Sequence, residues 1–230
     1  MIDSIRLALR DIFSQPFRAV LWKSLGLTLA LLFAFWLGIE ALLSWLVEIQ
    51  SYPWLETVIS ILAGLGLVIG LAFLIGPVTA LFAGIFADEI AAEVERRHYP
   101  ADPPGRDVPF LESIRGTIAF TGIVILVNLI ALILLLVPGV NLIAFFVGNG
   151  YLLGREFFEA AARRFYPRDE ARALRRAHMI RVFIGGFAIA AFMAVPFLNL
   201  LTPLFATAFM THLFKRVERT KVRAPLSPAV

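Results

Sequence analysis

No cysteine occurs among the 230 residues. Disulfides, thiolate nucleophiles and cysteine-based zinc sites are therefore excluded. Charge is scarce as well: 17 per cent of the residues are Asp, Glu, Lys or Arg, against 60 per cent hydrophobic. A soluble domain of this length cannot bury that much apolar surface, because area still claims a large share of a chain this size. Mean hydropathy is +0.83, and the excess calls for lipid. Also missing from the apolar runs are Ser-His, paired-Asp and HExxH constellations, so no enzyme is expected. Gly148, Gly150 and Gly154 follow no strand pattern, which argues against a nucleotide loop. Asp88, Glu89 and Glu93 have no histidine at ligand spacing and read as a solvated face. His98, His178 and His212 fall outside or at the edge of apolar runs. No metal and no cofactor is expected.

What is present is patterned. The net charge is +4 with a pI near 9.8, yet the cations are not spread over a face that could meet nucleic acid. All 21 fall in four zones, at 1–23, 96–115, 155–181 and 215–223. Positive residues bordering apolar segments mark the cytoplasmic side of a membrane. All four zones are placed there, and with them both termini. The start, Met1 to Gln15, is charged, and the apolar run after it is too long for a cleavable signal, so it is expected to stay as an anchor.

The expected fold is an all-α integral membrane protein in a single membrane domain over 1–230. It has two long transmembrane helices, two re-entrant, partly inserted helical hairpins, and amphipathic surface helices. Residues 1–15 form an amphipathic N-terminal helix, in which Ile5, Leu9, Ile12 and Phe13 make an apolar stripe opposite Arg6 and Arg10. Residues 19–47 and 57–87 cross the membrane, each near 45 Å as a helix against about 30 Å of hydrocarbon, so each tilts or bends. The outside turn carries Trp45, Tyr52 and Trp54, and Pro77 with Gly70 and Gly76 kinks the second crossing. Glu40 reads either as a functional intramembrane carboxylate or as a wet group near the outer interface.

An internal repeat organises the remainder. Val137-Pro138-Gly139-Val140-Asn141-Leu142 recurs as Val195-Pro196-Phe197-Leu198-Asn199-Leu200. Pro cannot continue a helix and Asn caps the next one, so each copy reads as a hairpin tip. The first hairpin spans 117–154 and the second 182–214. The arms of the second are roughly 21–23 Å long and fall short of the core thickness. Re-entrant backbone needs protein or a wet cavity around it, which predicts a homo-oligomer. Residues 155–180 form an amphipathic cytoplasmic segment broken at Pro167, and 215–230 a cytoplasmic tail. In that segment Phe157, Phe158, Ala161 and Phe165 face lipid, while Arg163, Arg164, Arg172, Arg175 and Arg176 reach lipid phosphates.

These residues resemble the CysZ family of bacterial sulfate permeases over nearly the whole chain. The Val195 to Leu201 stretch, with Pro203 and Thr211, is similar to the family's Pro-x-Leu-Asn-Leu element, although Met210 replaces a small residue. Residues 137–140 resemble its first hairpin tip. Ile75-Gly76-Pro77, Leu81 and Ala87-Asp88-Glu89 resemble the end of its second membrane helix. The resemblance implies sulfate uptake across the bacterial inner membrane, supplying sulfate for cysteine biosynthesis. It also implies a sulfate-binding loop at Pro16, Phe17 and Arg18, where a Gly and a second Arg of the family pattern are missing.

The chemistry agrees in kind. Sulfate is a strongly hydrated dianion, and it needs replacement donors to enter a low-dielectric path. Ser14-Gln15-Pro16 reads as a helix cap followed by a helix-starting proline, with Arg18 in the first turn, a geometry that suits an anion. The other reading has Arg18 and Lys23 snorkel as anchors. Asn141, Asn199 and Thr202 are candidate pore or hairpin-tip residues, or else cap hairpins and glue helices. Moving two negative charges inward against 100 mV costs about 4.6 kcal/mol, roughly a 2000-fold concentration ratio. No relay of buried acids or histidines is evident beyond Glu40, so a channel-like path is favoured over a coupled carrier. The alternative is a non-conducting scaffold that shapes the bilayer.

Overall fold

A computed structural model describes residues 1–46, 57–58, 61–62, 64–66, 68–69, 78, 85–107, 140–195 and 198–223. The described residues are helical or loop, with no strand among them. Among the described residues seven α-helices are assigned: α1 (Ile2–Ile12), α2 (Gln15–Leu46), α3 (Ala87–His98), α4 (Val140–Arg163), α5 (Arg168–Ala177), α6 (Met179–Met193) and α7 (Thr202–Arg223). A 3-10 turn, Leu198–Leu201, leads into α7. The chain divides into two compact units, Met1–Arg18 with Phe86–Val230, and Ala19–Ile85.

In the second unit the described helix is the body of α2. Its stretch Gln15–Ile39 is long and apolar enough to cross a membrane, and it alone is so among the described residues as an unbroken helix. Trp22, Leu29, Phe33, Phe35 and Trp36 are exposed. Such a row of large apolar side chains turned outward has no place in water. Buried polar groups on α2 are small: Thr28 Oγ1 donates to the Ser24 carbonyl at 2.8 Å. The expected kink at Pro77, the outside turn, the side chain of Glu40 and the outgoing arm and tip of the first hairpin lie outside the described residues.

The first unit is built around α7. From Leu204 to Phe214 its side chains are buried on every face, the pattern of a helix surrounded by others. α1, α3, α4 and α6 all pack on it. Phe205 stacks on Phe192 of α6 at 4.4 Å, and Phe209 stacks on Phe205 at 5.6 Å. A Cβ on Gly185 would meet Met210 and Leu213 at 2.9 and 3.1 Å, so the glycine lets α6 lie close against α7. The α4–α6 crossing is closer still. A Cβ on Gly154 would lie 2.6 Å from the Val182 carbonyl, and one on Gly186 would overlap Gly150 O and Gly154 N. Small residues four apart let two backbones approach in this way.

Three expectations change here. α4 runs without a break from Val140 to Arg163, so Arg155 to Arg163 continue the hairpin arm. A separate surface helix begins only at α5, after Pro167, and α5 meets α6 at 91°. Phe158 and Ala161 are buried and Phe165 stacks on Phe214 at 5.3 Å, so these three face the protein interior and not lipid. α7 continues past Phe214 to Arg223, since Lys215 and Val217 are themselves buried.

Candidate functional site

α1 presents an unexpected face to the interior. Its buried residues are Ser4, Ala8, Asp11 and Ile12, while Leu9 and Phe13 of the apolar stripe are exposed. Positions 4, 8, 11 and 12 fall on one helical face, and that face packs on α7. Asp11 is thereby carried inside, at 2 per cent exposure.

Two histidines meet it there. His98, the last residue of α3, places Nε2 at 2.9 Å from Asp11 Oδ1. His212, fully buried on α7, places Nε2 at 3.0 Å from Asp11 Oδ2. The two rings contact edge to face with centroids 4.9 Å apart. Tyr99 closes the group, its hydroxyl 2.9 Å from His212 Nδ1. One neutral tautomer satisfies all the atoms: His212 Nε2–H donates to Asp11 and the Tyr99 hydroxyl donates to Nδ1. Burial pushes the Asp11 carboxyl up, but the hydrogen bonds from His212 and His98 outweigh it and leave it below the usual carboxylate range. Burial pushes the Tyr99 phenol up. Arg97 Nη1 stands 3.7 Å from Asp11 Oδ1 and is half exposed.

A second polar cluster lies in the same unit. Arg164, 2 per cent exposed, donates from Nε to Glu95 Oε1 at 2.8 Å and from Nη1 to Asp88 Oδ1 at 2.7 Å. The loop after α3 folds over this pair: Gly105 N donates to Glu95 Oε2 and Arg106 N to the Arg164 carbonyl. A Cβ on Gly105 would strike Arg164 at 2.9 Å. Arg164 therefore fastens a loop and does not reach lipid phosphate, and Asp88 is its partner. Arg175 likewise donates to Glu159 at 2.6 Å. Lys215, buried, sits 3.3 Å from Asp102, 3.5 Å from Glu218 and 3.7 Å above the Phe165 ring.

The residues expected to bind sulfate start α2. Pro16 and Arg18 are exposed, and Phe17 is buried. Arg18 N donates to the Ser14 carbonyl at 3.0 Å, the first bond of the helix. The Ser14 hydroxyl is buried and has no hydrogen-bond partner among the described residues, so the expected side-chain cap is not made. Asn199 is exposed on the 3-10 turn. Thr202 is buried with Oγ1 turned back to Leu198 O at 3.5 Å. The side chain of Asn141 lies outside the described residues. No hydrogen bond or ion pair among the described residues joins Arg18 to Asn199 or Thr202. The Asp11–His98–His212–Tyr99 group was missed because Asp11, the His98-Tyr99 pair and His212 stand far apart in sequence. The one available signal was the acid interrupting the amphipathic pattern of 1–13.

The described residues are helical, and one unbroken helix among them is long and apolar enough to cross a membrane. The chain belongs to the family described as Sulfate transporter CysZ/Etoposide-induced protein 2.4, whose sequence model matches residues 4–203. No curated protein matches it.

Proposed function

We propose that this chain conducts sulfate across the bacterial inner membrane by a channel-like path, supplying the anion for cysteine synthesis. The family match over residues 4–203 carries the substrate class. The topology has its own support. Segments from all four cationic zones meet in one place: Asp3 pairs with Arg216 at 3.0 Å, Asp11 with His98 at 2.9 Å, Arg164 with Asp107 at 3.3 Å, and Lys215 with Asp102 at 3.3 Å. Zones gathered at one end of the helices lie on one side of a bilayer. Cations there favour the cytoplasm, so both termini are cytoplasmic and the chain is multi-pass. The α6–α7 pair, joined by the 3-10 turn, then dips into the membrane and returns as a re-entrant hairpin. Such a hairpin needs cover, which a homo-oligomer provides.

At the start of α2 the Gln15 and Phe17 amides have no carbonyl to bond within the helix, Pro16 has no N–H, and Arg18 lies beside them, exposed. This is the binding site for the anion at the cytoplasmic mouth, with Pro16, Phe17 and Arg18 as its frame. Asn199, exposed on the 3-10 turn, lines the path deeper in the membrane.

Radiolabelled sulfate uptake into liposomes carrying the purified protein tests the reading, with chloride and phosphate as comparators. Sulfate should enter above the empty-vesicle rate and ahead of both. Uptake no faster than in empty vesicles would reject conduction in favour of a bilayer-shaping scaffold. Arg18→Ala in a correctly inserted protein should cut sulfate uptake at least tenfold. Unchanged uptake would make Arg18 an anchor.

A further inference from the structure

We propose that Asp11, His98 and His212 form a binding site for a divalent transition metal of the zinc class, tying α1, the end of α3 and α7 together. Each residue offers one ligand atom, and the three atoms lie within 4.8 Å of one another. Both imidazoles aim Nε2 at the same carboxylate, at 2.9 and 3.0 Å, one to each of its oxygens. Ligand atoms about 2.0–2.1 Å from a tetrahedral zinc stand roughly 3.3 Å apart, so each His–carboxylate pair opens by a few tenths of an ångström while the widest separation in the group, within 4.8 Å, closes around the ion. Two neutral imidazoles and one carboxylate select zinc, cobalt or nickel over magnesium and calcium, which prefer oxygen.

The surroundings complete the case. Metal-bound histidine has its other ring nitrogen held by an outer partner, which fixes the ring. Tyr99 does this for His212, 2.9 Å from Nδ1. Its hydroxyl both donates and accepts, so it holds the ring when the proton moves from Nε2 to Nδ1 and frees Nε2 for the ion. No net proton is then released from the ring. Arg97 opposes the ion's charge, but at 48 per cent exposure it can withdraw to solvent. Three ligands leave a fourth position for water.

The test uses the full chain, without a histidine tag, purified in detergent and stripped with a chelator. After dialysis against zinc, metal content should be one ion per chain, and cobalt in its place should give the visible bands of a tetrahedral site. His98→Ala and His212→Gln should each weaken zinc binding at least 100-fold. Tyr99→Phe should weaken it about 10- to 100-fold, as loss of an outer partner does. His178→Ala should leave it unchanged, because His178 bonds the Leu174 carbonyl elsewhere. Arg97→Ala, which removes the opposing charge, should tighten it. Absence of both bound zinc and cobalt bands in the unaltered protein would overturn the proposal, whether or not the variants fold. So would full zinc retention by a folded His98→Ala. Sulfate flux plays no part in these readouts, so failure of the transport reading leaves this test intact.

Discussion

α2 and α7 are both long helices rich in large apolar residues, and they treat those residues in opposite ways. On α2, Trp22, Leu29, Phe33, Phe35 and Trp36 point outward. On α7, Leu204, Phe205, Phe209, Leu213 and Phe214 are buried, and so are His212 and Lys215. The difference follows from what each helix must satisfy. A lipid-facing side chain needs no partner of defined shape. A helix enclosed by protein must fit every neighbour and pair every polar atom. Among the described residues the most fully enclosed helix therefore lies in the first unit, at α7. Apolar content alone would have pointed to α2.

Removing one ring tests this most directly. Phe209→Ala, on the enclosed face that meets Phe205 and Gly185, should cost about 4 kcal/mol, the range for emptying a packed aromatic site. It should appear as a fall in the unfolding midpoint in detergent and loss of the monodisperse species. A fall no larger than that from an exposed α2 position would erase the contrast between the helices.

Arg164→Met comes next, at about 3 kcal/mol, because it leaves the Glu95 carboxylate buried without its partner. The double variant Arg164→Met, Glu95→Gln should recover most of the loss, since it leaves no uncompensated charge. Chemical unfolding of the single and double variants gives both numbers. If the double variant is no better than the single, the cost lies in packing and not in charge.

Gly186→Ala should cost about 2 kcal/mol. Its added methyl meets the backbone of Gly150 and Gly154, which no side-chain rotation can relieve. Thermal unfolding checks it, with Gly26→Ala on α2 as the control, since a Cβ there meets nothing within 4 Å.

The helical class and the long apolar α2 were legible because both are local: hydrophobic content and spacing write them directly into sequence. The Gly150–Gly154 spacing was equally visible, and its mate Gly186 gave it meaning only in three dimensions. The polar clusters were not legible. Eight arginines crowd residues 155–181, and charge alone cannot tell that Arg164 is buried while Arg176 and Arg181 are exposed. His98 and His212 are separated by most of the second half of the chain, and Asp11 sits in an apparently simple amphipathic helix. Such pairings come from tertiary packing, which a single sequence does not spell out.

The smallest effect sharpens the comparison from the other side. Leu29→Ala on α2 removes as much hydrocarbon as many core truncations, yet Leu29 is 53 per cent exposed and leaves no cavity behind. Leucine and alanine are both strong helix formers, so the backbone loses nothing. Its cost should stay within about 0.5 kcal/mol, as for other substitutions away from packed sites. The unfolding midpoint in detergent, measured beside Phe209→Ala, checks it. A loss above 1 kcal/mol, roughly twice the surface range, would mean that this face of α2 is covered by another part of the assembly. That outcome would move α2 into the same category as α7 and leave the outward row of aromatics to a partner chain instead of lipid.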